Sequence, residues 1–105
     1  MNNVRRRILK NCVLQLQSYT EDACSVGMDI LEDVLDEENE CRDCMPDGLD
    51  CTDNYYASEA ASEAMETAID NLETASTCFV EEDLAMARKV VDEAIRNLLD
   101  IQGVG

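Results

Sequence analysis

Histidine and tryptophan are missing from this chain, proline and phenylalanine occur once each, and glycine occurs four times in 105 residues. Without histidine there is no imidazole base for a serine or cysteine hydrolase, no H-E-x-x-H zinc hydrolase and no Glu-x-x-His di-metal site. The phosphate-cradling G-x-x-x-x-G-K-[ST] pattern is absent, and Gly103-Val104-Gly105 is followed by no helix. These absences point away from an enzyme. Apolar runs are short as well, and none approaches the roughly 18 residues of a membrane span. The first ten residues are basic, but Lys10, Asn11 and Gln15 interrupt what would be the apolar part of a targeting segment. A cytoplasmic protein with mostly reduced thiols is the expectation.

Positive charge is scarce. Eight Lys+Arg stand against 24 Asp+Glu, a net charge of −16. Such a surface repels nucleic acid and anionic membranes. The charge is also uneven: residues 20–54 hold thirteen acidic side chains and one basic, Arg42, whereas residues 1–19 hold four basic and none acidic. The chain is long enough for one domain, and its 46% hydrophobic content, much of it alanine, predicts a thin core.

Helical periodicity dominates what remains. Leu9, Val13, Leu16, Thr20, Ala23, Gly27, Ile30 and Val34 alternate steps of four and three, which predicts one long helix over about 4–40, with a bend at Gly27. Met45-Pro46 ends it. Residues 41–54, with Pro46 and Gly48, read as a Cys-rich loop. Ala61, Met65, Ala68, Leu72, Ala75 and Phe79 form a second seam, and Leu84, Ala87, Val91, Ala94, Leu98 and Ile101 a third. The two differ in phase, and Thr77–Val80 are poor helix formers, so helices over about 55–77 and 81–101 are favoured over one long bent helix. The expected fold is all-α: an antiparallel bundle of three main helices in a single domain, 1–105. Leu16, Ile30, Val34, Leu72, Val91, Leu98 and Ile101 should be buried.

Among six cysteines, Cys41-x-x-Cys44 followed by Cys51 is the sharpest local signal. Thiolates at this spacing across a turn can share a structural zinc. The fourth ligand would come from Asp43, Asp47, Asp50 or Asp53, or from the remote Cys24 or Cys78. Free thiols and a disulfide formed on purification are the alternatives. A calcium loop beginning at Asp43 fails, because Met45 and Asn54 stand where oxygen ligands are needed.

Two acidic rows bear on function. Asp22, Asp29, Asp33, Asp36 and Glu40 lie opposite the first apolar seam, and Glu59, Glu63, Glu66, Asp70 and Glu73 step by four and three along the next helix. Like charges at this spacing repel, by a few tenths of a kcal/mol per pair. They form either a solvated face or a surface that fits a basic groove, imitating a row of phosphates. Asp29, Asp33, Asp36, Glu40, Glu63, Glu66, Asp70 and Glu73 are the candidate partner-binding residues. Arg5, Arg6, Arg7 and Lys10 form the one basic patch, read as an intramolecular or dimer contact.

One pattern is familiar. Asp36-Glu37-Glu38, then Met45-Pro46, then Ala68-Ile69-Asp70-Asn71-Leu72-Glu73-Thr74-Ala75 resembles a group of small acidic helical proteins encoded by phages and prophages of Gram-positive bacteria. The resemblance covers less than half the chain and departs from the group at Cys41 and Cys44. It implies a phage setting, and small acidic phage proteins without catalytic residues resemble anti-defence inhibitors, including anti-CRISPR proteins acting on Cas9. The expected role is therefore an inhibitor in the cytoplasm of an infected or lysogenic bacterium. Its acidic faces would bind a basic nuclease such as Cas9, which holds nucleic acid in positively charged channels. The alternative is a structural or regulatory phage protein that self-associates, as a homodimer, through its apolar seams.

Overall fold

A computed structural model describes residues 2–44 and 53–105. Among the described residues there are four helices and no strand: α1 (Asn3–Leu16), α2 (Glu21–Asp43), α3 (Asp53–Val80) and α4 (Leu84–Leu99). Each packs antiparallel to the next. Arg5 on α1 meets Glu38 on α2, Arg42 on α2 meets Ser58 and Ser62 on α3, and Asn71 on α3 meets Asn97 on α4. Arg6 reaches the chain beyond α4 at Gln102, which brings α1 against the α4 side. The result is an up-down-up-down rod of 50 × 19 × 18 Å.

The expected single helix over 4–40 is two helices. The chain turns at 17–20, where Tyr19 takes a left-handed backbone (φ 51°) and the Thr20 hydroxyl caps α2 by accepting from the Ala23 amide at 3.1 Å. Glu21 and Asp22 then occupy the first turn, where the helix dipole favours negative charge. After this turn two of the four expected seam positions move by one residue. Cys24, Gly27, Leu31 and Val34 are buried in place of the expected Ala23, Gly27, Ile30 and Val34, and Ile30 is only half-buried. α2 runs unbroken through Gly27. The glycine lets two side chains come close: a Cβ there would stand 3.0 Å from Leu16 Cδ2 and 3.3 Å from Leu72 Cδ1.

The α3–α4 hairpin forms, with shifted ends. α3 begins at Asp53, two residues earlier than expected, and carries Thr77–Val80 as its last turn. The reversal falls on Glu81–Asp83, the residues expected to start the next helix. Asp83 N–H bonds to Cys78 O (2.9 Å) and Glu82 N–H to Phe79 O (3.1 Å), the two-bond helix stop usually completed by glycine. Here Glu82 takes the left-handed position, φ 62°. α4 ends at Leu99 rather than at 101.

The core runs the length of the rod. Leu16, Val34, Leu72, Val91, Leu98 and Ile101 are buried in it, with Leu9, Met65 and Ile95. Ala61, Ala68, Ala75, Ala87 and Ala94 are buried on α3 and α4 beside the larger Met65, Leu72, Val91 and Leu98. No helix of the described residues is long and apolar enough to cross a membrane.

Candidate functional site

Charge divides the rod lengthwise. α1 carries four basic side chains and no acidic one, and α4 three basic and two acidic. α2 carries ten acidic and one basic, and α3 six acidic and none basic. The single cation on the α2–α3 pair, Arg42, is turned inward. Its Nη1 donates to Ser62 Oγ (2.8 Å) and Ser58 Oγ (3.4 Å), and its Nη2 to Asn39 Oδ1 (2.7 Å). It therefore braces the two helices and offers no charge to their outer carboxylates.

Asp22, Asp29, Asp33, Asp36 and Glu40 are all exposed, opposite the buried line of Cys24, Gly27, Leu31, Val34 and Glu38. Glu59, Glu63, Glu66, Asp70 and Glu73 are exposed as well. On α3, Ser58 and Ser62 face α2, whereas Asn71 faces α4. The acidic row lies nearly opposite the buried line of Ala61, Met65, Ala68, Leu72 and Ala75, so it points outward from α3. The two rows thus stand on the outward sides of two adjoining helices. None of these ten side chains makes an ion pair among the described residues. From Asp29 to Glu40 on α2, and from Glu59 to Glu73 on α3, there is one carboxylate per turn, about one per 5.4 Å; a turn is skipped between Asp22 and Asp29. Duplex DNA carries one phosphate per 3.4 Å on each strand, so over those stretches each row has about two-thirds of a strand's linear charge density.

Beneath one end of this face lies a buried polar cluster that sequence patterning misses. Glu38 is 2% exposed, inside the seam, and accepts from Arg5 Nε at 3.0 Å and from the Ser58 hydroxyl. Burial alone would push its carboxyl up. The Ser58 hydrogen bond and the Arg5 guanidinium are among the groups that outweigh burial and hold it below the usual carboxylate value. Arg5 also lies 3.9 Å from Glu37. Part of the basic patch is therefore an internal tie, as expected, joining α1 to α2. At the opposite end Tyr19 fastens the α1–α2 turn to α4. Its hydroxyl donates to Asp92 Oδ1 at 2.5 Å, and the Arg88 guanidinium lies 4.4 Å from its ring centre. The bond to Asp92 pushes the Tyr19 phenol above its ordinary value.

The expected zinc ligands are only partly on view. Cys41 is not in a loop: α2 carries it, continues to Asp43 and is capped by Cys44. Both thiols are exposed, three residues apart on the last turn. Asp47, Asp50, Cys51 and the Asp53 side chain lie outside the described residues. Cys24 is buried near the far end of α2, about 25 Å along the helix from Cys41. Cys78, half-buried in the last turns of α3, is also at that far end. Among the described residues no three ligand-type side chains converge on one point. Cys12 and Cys24 are buried free thiols, each pushed up to about 11 by desolvation.

Comparison with known proteins returns no matching family model, no similar curated protein and no similar solved structure.

Proposed function

We propose that the protein is a binding module that docks its α2–α3 acidic face on a basic, nucleic-acid-handling protein, and that it acts as a phage-encoded inhibitor of a defence nuclease such as Cas9. The observation that carries this reading is the pair of exposed carboxylate rows on adjoining helices whose only cation is turned inward. A helix does not need such a face to fold, since like charges one turn apart repel. A positively charged channel that holds nucleic acid is a complementary target for such a face. The elongated rod, 19 by 18 Å in section, offers that face along its length. The test is binding of the purified protein to a panel of defence nucleases, with and without guide RNA or DNA. Capture by the nucleic-acid-free nuclease and loss when the channel is filled supports the reading. Absence of binding across the panel, with concentration-dependent dimerisation instead, favours a self-associating structural protein.

A structural zinc held by Cys41, Cys44 and Cys51 with one nearby carboxylate completes the proposal. It rests on the two exposed thiols on one turn. Elemental analysis of chelator-free protein should find about one zinc per chain. Unchanged metal content and melting temperature in Cys41→Ser/Cys44→Ser would make the thiols incidental.

A further inference from the structure

We propose that the concavity between the first turns of α1 and the chain at Gly103 is a binding site for a small phosphate-class anion. An open cavity of about 270 Å³ is lined there by Asn3, Arg6, Arg7, Lys10 and Gly103. Three of the eight cations in a chain of net charge −16 line this one hollow, and no carboxylate shares it. None of the three has an ion-pair partner among the described residues, although Arg5, beside them on the same helix, is paired.

One cation is held in position by a distant part of the chain. Arg6 Nε donates to Gln102 O at 3.0 Å and its Nη1 to Asn3 Oδ1 at 3.2 Å. This leaves its remaining N–H groups, and the Asn3 amide N–H groups, free to donate into the hollow. Gly103 makes the approach possible. Its φ is +86°, and a Cβ there would stand 2.6 Å from Arg6 Nε and 2.7 Å from Arg6 Cδ. The guanidinium is thus seated against a backbone that only glycine supplies, and its ordering precedes any ligand.

Two guanidinium groups and an ammonium suit a compact dianion with several acceptor oxygens better than a single planar carboxylate, which one arginine satisfies. The cavity has room for a phosphate and part of a group esterified to it. A nucleic-acid strand is a poor occupant, since its other phosphates would meet the acidic remainder of the molecule. The site lies on the α1–α4 side and stands or falls independently of the α2–α3 docking face.

The experiment is a titration of the full isotope-labelled chain with inorganic phosphate, and separately with glycerol 3-phosphate as a monoester, at ionic strength fixed with chloride. Saturable shifts confined to the amides of Asn3, Arg6, Arg7, Lys10 and Gly103 are expected, and the tighter ligand identifies the source of the phosphate. Arg7→Gln/Lys10→Gln changes two exposed side chains, so the fold is retained, and it should weaken binding by about tenfold or more. Gly103→Ala displaces Arg6 and should weaken binding while Arg7 and Lys10 remain. Shifts that fail to saturate, or that persist unchanged in Arg7→Gln/Lys10→Gln, would overturn the proposal.

Discussion

Glu38 occupies a seam position where the helical period asks for a leucine, and its partners explain why it is tolerated. A buried carboxylate is costly unless paired and hydrogen-bonded, and Arg5 and Ser58 supply both. Removing one partner leaves the other stranded, so Glu38→Ala should cost about 3–5 kcal/mol in a denaturant melt. The pH response has a definite sign. The folded carboxyl is held below its ordinary 4.5, so its contribution is complete above that pH and fades as pH falls through the lower folded value. The gap in melting temperature between the wild type and Glu38→Gln should therefore be widest near neutrality and narrow below about 4.5. A gap that does not change with pH would mean that the pair contributes by packing alone. The seam period did mark this position, four residues after Val34, but Asp36-Glu37-Glu38 reads as a solvated acidic run and only the crossing of α1 separates Glu38 from its neighbours. The thiols divide in the same way. Cys12 and Cys24 are buried and pushed up to about 11, so iodoacetamide should modify Cys41 and Cys44 in the native protein and reach the buried pair only on unfolding. Prompt alkylation of Cys24 in native protein would contradict this packing.

At the scale of elements, the helical class was legible because three apolar seams recur at steps of three and four, a signal that needs no tertiary information. The turn at 17–20 was not, because the steps from Leu16 to Thr20 and on to Gly27 continue the period through the break. A local signal was present: Thr20 followed by Glu21 and Asp22 is a helix start, a capping hydroxyl and then acids in the first turn. The α3–α4 reversal shows the opposite error. Thr77–Val80 are poor helix formers individually, yet they form the last turn of α3, and the backbone carbonyls of Cys78 and Phe79 accept the two bonds of the helix stop. Glu82 pays for that stop with a left-handed backbone, which costs a non-glycine residue about 1–2 kcal/mol. Glu82→Gly should therefore raise stability by up to about 1 kcal/mol, since glycine's greater freedom when unfolded returns part of the gain. A thermal melt measures it directly, and a lower melting temperature would show that the Glu82 side chain does more than occupy the turn.

Over the whole molecule, the balance of charge is what the fold converts into a surface. The acidic rows were visible in the sequence, since i, i+3, i+4 spacing without an intervening lysine places carboxylates on one side of a helix whatever the bundle does. What the sequence left open was whether the rows adjoin. The antiparallel packing of α2 on α3, with Arg42 directed inward to Ser58, Ser62 and Asn39, leaves both rows exposed and unneutralised on the outward sides of adjoining helices. If this face is the contact, association with a basic partner should be fast at low salt and slow as salt rises, because steering is screened beyond about 10 Å at 0.1 M. Lysine at Asp29, Asp33, Asp36 and Glu40 together should weaken binding by at least an order of magnitude, as like charges then meet across the interface. The α3 set, Glu63, Glu66, Asp70 and Glu73, tests the same face from the neighbouring helix. All eight positions are exposed and point away from the core, so circular dichroism should report unchanged helicity in both variants. Should both variants bind the nuclease at wild-type strength and with wild-type salt dependence, the rows serve solubility only. Recognition would then fall to the exposed apolar side chains at the far end of the rod, Val80, Leu84 and Met86, which no carboxylate reversal would disturb.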